Sequence, residues 1–220
     1  MSERIINELI DSFGMLMSAG LKATIPLTVT SFSMGLVIAL LVALVQIANL
    51  PVLKQLARVY VWIIRCTPMI VQLFIVYFGL PNVGITLNSF ISAWLVLSLS
   101  IGAYCSETVR AAIQSVPVGQ MEACACDGLT FWQSMVHVII PQALSTAFPP
   151  LSNSLIGLVK DTSLAYSVAF VEILATAQRI AARTYDYFWL YLEAGFIYLI
   201  ICSVLTIIQM KAESSLERRK

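Results

Sequence analysis

The chain has 220 residues, of which 59% are apolar and 11% charged. Soluble domains are about 45–50% apolar and about 25% charged, and a mean hydropathy of +0.88 points the same way, so a water-soluble globular protein is excluded. Thirteen basic and twelve acidic side chains leave a net charge of +1, without the basic surface that a nucleic-acid binder needs.

At roughly 20 residues per span, the length accommodates about five or six transmembrane helices and no sizeable soluble domain. The segment from Met1 to Asp11 carries Glu3, Arg4, Glu8 and Asp11, unlike the basic start and short apolar core of a signal peptide. Ile5, Leu9 and Phe13, with Ile6 and Ile10, share one helical stripe, which predicts an amphipathic helix over residues 1–18, resting on the membrane. The first long uncharged run, Ala23 to Leu53, ends near Asn49-Leu50-Pro51 and is ample for one span. Gly35 and Ala39, four apart within it, suit a small-residue contact with another helix.

Lys54 and Arg58 follow, and then the apolar run from Cys66 to Ser106, too long for one helix but right for two. Its break falls at Gly79-Leu80-Pro81-Asn82 to Asn88, where Gly, Pro and Asn mark a short connection. The third span ends near Glu107 to Arg110. After a polar stretch, a fourth apolar segment runs through Pro149-Pro150 to Leu158, and the last span covers about Tyr187 to Met210. The expectation is an all-α integral membrane protein with five transmembrane helices: a membrane domain over 19–212 and a tail over 213–220. Lys54, Arg58 and Arg110 flank two loops on one side, and Lys211, Arg218, Arg219 and Lys220 close the chain. This basic excess places the C-terminus in the cytoplasm and the N-terminus outside.

The five cysteines are odd in number and fall mostly in apolar stretches, which argues against a disulfide framework. Cys124 and Cys126 form C-x-C, whose neighbours Ala123 and Ala125 supply no further ligand, and the chain has a single histidine, so no metal site is expected.

The polar stretch VPVGQMEACACDGLTFWQSMVHVIIP, residues 116–141, is the most informative. Pro117 suits the opening of a helix, since its missing N–H would go unpaired there anyway. Gly128 suits the left-handed residue that closes one. Thr130 offers an N-cap, with Gln133 three residues on completing a capping box. Two short helices in an elbow are predicted on the cytoplasmic side. On a chain with no catalytic domain, the elbow reads as a docking element for a cytoplasmic partner, the bland alternative being an interfacial helix resting on lipid.

This stretch resembles the EAA loop of permease subunits from ATP-binding-cassette (ABC) importers: Glu122, Ala123, Cys124, Gly128, Ile140 and Pro141 fall on the pattern. Three more segments resemble the polar amino acid permeases in particular: Arg65-Cys66-Thr67-Pro68 with Val71-Gln72, Gly102-Ala103-Tyr104 through Glu107 and Arg110, and Lys160-Asp161-Thr162-Ser163-Leu164. Cys66 and Cys124 stand where the family usually has glycine and alanine, removing neither a charge nor a cap. The resemblance implies a type I importer permease in a bacterial cytoplasmic (inner) membrane. Such subunits pair as homo- or heterodimers, and each elbow docks as a coupling helix on an ATPase subunit. ATP and Mg bind that ATPase, and an extracytoplasmic binding protein delivers a polar amino acid, with the overall likeness leaning toward cystine. The chain has no G-x-x-x-x-G-K-[ST] phosphate loop of its own, so it is expected to be non-catalytic and to bind no cofactor. The competing class is an ion-gradient-driven carrier or a channel, for which neither an internal repeat nor a filter loop is visible.

Charges within spans mark polar cavities or partners. Arg65 lies seven residues beyond Arg58, roughly 10 Å at helical rise, and Glu107 sits at a similar depth on the antiparallel third span. An Arg65–Glu107 gate pair is therefore expected, either switching between access states or static, with Arg110 competing for Glu107. Lys160 and Asp161 lie roughly 18 Å into the fourth span. With Thr162, Ser163 and Gln72 they form the candidate substrate pathway, since a zwitterion needs both an anion and donors. The alternative is that the two charges neutralise other protein groups.

Overall fold

The computed structural model describes residues 3–217 except Asn49. Of the cations used above for orientation, Arg218, Arg219 and Lys220 lie outside the described residues. Among the described residues, ten α-helices form: α1 (Glu3–Ala19), α2 (Ile25–Ile47), α3 (Pro51–Cys66), α4 (Met69–Phe74), α5 (Ser89–Gln114), α6 (Val118–Cys126), α7 (Phe131–Ser134), α8 (Ile140–Asp161), α9 (Ile173–Thr184) and α10 (Tyr187–Glu217). Three continuous helices, Glu3–Ile47, Ser89–Gln114 and Tyr187–Ser215, are long and apolar enough to cross a membrane. Two bent pairs, Pro51–Cys66 with Met69–Val83 (104°) and Phe131–Val168 with Ile173–Thr184 (49°), make five when each is counted as one span.

The helices are longer than their prolines suggest because the chain widens just ahead of three of them. π-turns at Gly20–Thr24, Ile75–Gly79 and Met135–Ile139 each end two residues before Pro26, Pro81 and Pro141. In each, the residue preceding the proline reaches back five positions: Ile25 to the Gly20 carbonyl, Leu80 to Ile75, Ile140 to Met135. A proline ring clashes with the carbonyl four residues back and offers no N–H, and one wide turn accommodates it without breaking the helix. The boundary expected near residue 18 is consequently no break. The amphipathic N-terminal helix runs on through the first π-turn into the first span as one 45-residue helix. It also lies along α9 and α10, burying Ser12 and Leu16 there, while Ile6, Ile10 and Phe13 stay exposed.

The centre is the contact of α2 with α5. Gly35 and Gly102 make it possible: a Cβ on Gly35 would stand 2.5 Å from the Ile101 side chain, and one on Gly102 would stand 2.5 Å from Ile38 and 2.8 Å from the Tyr60 hydroxyl. Glycine and alanine at such positions let helix backbones approach closely where lipid supplies no hydrophobic drive. Around the seam Leu27, Ala39, Leu73, Val96, Leu97 and Leu158 form the main core. The Tyr60 hydroxyl donates to the Leu99 carbonyl at 2.6 Å, tying α3 to the same helix. Asn88 starts α5 by accepting from the Ile91 N–H at 2.8 Å, an N-cap of the usual kind.

A smaller apolar cluster of Leu16, Ile173, Ala177, Ala194 and Ile197 joins α1, α9 and α10. Beside it, the fully buried Glu172 caps α9 by accepting from the Ala175 N–H at 2.8 Å, and it also receives the Tyr198 hydroxyl. The flank of α10 that carries Phe188, Leu192, Phe196 and Leu199 is exposed and apolar.

Candidate functional site

The elbow is built almost wholly by local signals. Pro117 precedes the nine-residue α6, and Gly128, at φ 75°, closes it. The Leu129 N–H reaches the Cys124 carbonyl at 3.0 Å, and the Gly128 N–H reaches that of Ala125 at 3.1 Å, the paired bonds of a Schellman cap. Thr130 and Gln133 then form the reciprocal capping box that opens the next helix. That second leg does not stay short. It continues through the third π-turn into α8, so the elbow is one free-standing helix hinged to the foot of a long one.

Met121 faces the apolar cluster of Ala112, Ile113, Met135, Ile139, Ala143 and Ala147 at the feet of α5 and α8. Gln142 donates to Gln120 at 3.1 Å, a second tie between α6 and α8. Glu122, Ala123 and Gly128 are exposed, but Cys124 is only 4% exposed. Three residues after Met121, Cys124 is on the inner face of the helix, so of the four coupling candidates it alone turns its side chain inward.

The expected Arg65–Glu107 pair is not made in this structure. Glu107 accepts from Arg110 at 2.6 Å and 3.3 Å, and Arg110 also donates to Gln114 at 2.9 Å. A partner one turn along the same helix is already in reach and needs no second helix held in register. The Arg65 guanidinium instead lies 5.2 Å from the centre of the Tyr104 ring, a cation–π arrangement one turn before Glu107. Equal depth was legible in the sequence, but the direction in which each side chain points was not.

Gln72 is also engaged. Its amide N–H groups are shared among the Ile64 carbonyl at 2.9 Å, the Thr67 carbonyl at 3.2 Å and the Thr67 hydroxyl at 2.8 Å. It thereby satisfies backbone groups left over where α3 breaks at Thr67-Pro68. Lys160 and Asp161 end α8, where the helix tightens into a 3-10 turn over Thr162–Val168, closed by Ala169 at φ 61°. Lys160 is exposed and Asp161 and Ser163 half-buried. Thr162 is buried, with its hydroxyl committed to the Val159 carbonyl at 2.7 Å. Among the described residues neither Lys160 nor Asp161 has an ion-pair partner within 4 Å; the pairs there are Arg4–Asp186 and Arg110–Glu107.

Sequence reasoning did not single out Glu172, the buried cap of α9. Its signal was a carboxylate between two apolar stretches, just ahead of a helical pattern. Tyr104 was quoted only as part of a segment, although it is half exposed and carries Arg65.

Among the described residues, up to five membrane crossings therefore carry one exposed helix on a capped elbow. Residues 35–218 match the family model described as binding-protein-dependent transport system inner membrane component. The chain belongs to this family, the transmembrane permeases of ABC importers, which makes it an inner-membrane protein. It is 45% identical to the L-cystine transport system permease protein TcyB of Bacillus subtilis over 94% of this chain and 89% of that one. Identity to the probable glutamine ABC transporter permease protein GlnM of the same organism is 34%, over 97% and 98%. Among solved structures, a crystal structure of an amino acid ABC transporter with histidines matches at TM-score 0.87 and 30% identity, over 98% of this chain and all of that one. An inward-facing MetNI methionine transporter matches at TM-score 0.74 and 20% identity, over 98% and 99%, and carries the fold alone.

Proposed function

We propose that this chain forms, with a second permease subunit, the translocation pathway of an ATP-driven importer for a polar amino acid of the cystine type. The permease lies with its N-terminus outside and its C-terminus in the cytoplasm. An ATPase subunit, which holds the ATP and Mg, docks on the outer face of α6. Glu122, Ala123 and Gly128 present that face, while Cys124 packs beneath it. An extracytoplasmic binding protein delivers the substrate, and Lys160 and Asp161, with Ser163 beside them, meet its carboxylate and ammonium in the pathway. Thr162 and Gln72 shape this wall through the backbone rather than by offering free donors.

The single observation that carries the reading is the pairing of an exposed α6, closed by its Gly128 cap, with a full-length likeness to a cystine permease. Two charges at the α8 end, neither in an ion pair among the described residues, support the substrate role, because charges within a span mark a polar cavity or a ligand. The test is reconstitution in proteoliposomes with the ATPase and binding protein. Cystine should stimulate ATP hydrolysis more than glutamine, arginine or histidine, and uptake should survive collapse of ion gradients. Uptake that follows an ion gradient without ATP would establish the secondary-carrier alternative instead. Lys160→Ala should weaken transport while leaving the assembled complex intact.

A further inference from the structure

Where α2 and α5 end and α3 begins, a cavity of about 270 Å³ is lined by Gln46, Lys54, Arg58, Glu107, Arg110 and Gln114. Three cations surround one carboxylate, and Arg110 already holds one oxygen of that carboxylate, Glu107 Oε2, through two donors. Of the remaining groups, Lys54 and Arg58 offer donors only, and Gln46 and Gln114 carry amides. Among the described residues Lys54 and Arg58 have no ion-pair partner. Gln46, only 8% exposed, lines the same cavity without a side-chain hydrogen bond. Its amide is therefore available to a group bound in the cavity. An ammonium fits poorly beside Lys54, Arg58 and Arg110, which outnumber the one carboxylate, so the charge balance suits an anion that brings no cation with it.

We infer that this cavity binds the phosphate of an anionic phospholipid whose headgroup lacks an ammonium, such as phosphatidylglycerol. The cavity stands where membrane-crossing helices α2 and α5 terminate, at Ile47 and Gln114, which is the depth at which lipid phosphates lie. Basic pockets between helices at the cytoplasmic surface are the ordinary receptors for such headgroups. Next to Lys54, α3 exposes Val52, Leu53 and Leu56 at 72%, 47% and 61%, an apolar strip that suits acyl chains and not a free ion. The inference rests on the membrane placement proposed above but not on ATPase docking, so either fails without the other.

The experiment is native mass spectrometry of the assembled permease–ATPase complex released from nanodiscs holding equal phosphatidylglycerol and phosphatidylcholine. Phosphatidylglycerol should be retained preferentially. Arg58→Gln should cut the ratio about fivefold, the weight of one basic group at a lipid surface, and Lys54→Gln with Arg58→Gln should cut it further. Gln46→Leu, which keeps both charges, should lower it less, and Arg179→Gln on α9 should leave it unchanged. Arg58 is exposed and makes no internal hydrogen bond among the described residues, so its single variant carries the test if the double variant fails to assemble. Equal retention of the two lipids, or a ratio indifferent to Arg58, overturns the inference. Displacement of phosphatidylglycerol by millimolar inorganic phosphate would overturn the lipid assignment and leave a soluble anion as the occupant.

Discussion

The α2–α5 seam and the α6 elbow are held by opposite means. At the seam the residues carry little local instruction: Gly35 and Gly102 are poor helix formers, and their value comes from what packs on them. At the elbow nearly every residue carries a local instruction, from Pro117 through Gly128 to the Thr130–Gln133 box, and little packs on its outer face. The contrast suits a permease. A pathway wall gains from a rigid, dry contact, whereas a docking helix keeps its outer surface free and takes its shape from its own caps.

The contrast is broken most forcefully at the seam. Gly102→Leu drives a side chain into Ile38 and the Tyr60 hydroxyl, at distances no Cβ tolerates. Overpacking costs about 1–3 kcal/mol and sometimes more, and here both facing helices are pinned. The expected outcome is a large fall in thermal stability in detergent, read by loss of the monodisperse species on heating. An unchanged melting temperature would mean that the seam is far looser than its geometry implies.

At the elbow the costs are smaller and local. Gly128→Val places a β-branched residue at φ 75°, where the left-handed conformation costs about 1–2 kcal/mol. α6 should fray while the five crossings persist, so ATPase coupling drops before the melting temperature does. Thr130→Ala removes the cap of α7 for about 1 kcal/mol, and Thr130→Ser should restore most of it. Hydrogen exchange over 118–134 is the measurement that separates fraying here from global unfolding.

The same division explains what was legible from the residues. Cap signals act within a few positions, so Pro117, Gly128 and the Thr130–Gln133 pair could be read directly. Gly35 and Ala39 announced a contact but not its partner, because Gly102 lies more than sixty residues along the chain. The three prolines in apolar helices disclosed nothing of the π-turns ahead of them, since a span reads as apolar length whether its turns are wide or regular. Arg65 and Glu107 were matched by depth, a quantity that helical rise supplies. Their azimuths depend on how α3 leans on α5 through Tyr60, and that is tertiary. The inward turn of Cys124 was hidden for a related reason: on so short a helix, the inner face is set by where Met121 finds the apolar feet of α5 and α8.

The smallest effect on the fold, and the sharpest on the proposed role, belongs to Glu122→Lys. Glu122 is exposed and, among the described residues, makes neither an ion pair nor a side-chain hydrogen bond. Surface substitutions of this kind usually shift stability by less than about 0.5 kcal/mol, so the melting temperature should stay put. If the outer face of α6 seats in an ATPase cleft, reversing a charge there introduces repulsion or strands a partner's cation, and association should fall by an order of magnitude or more. Co-purification of the ATPase with the intact permease reads this directly. A normal melt with lost ATPase supports docking through α6. A normal melt with full ATPase recovery and coupling leaves the elbow without that role and sends the search for the docking surface elsewhere on the cytoplasmic face.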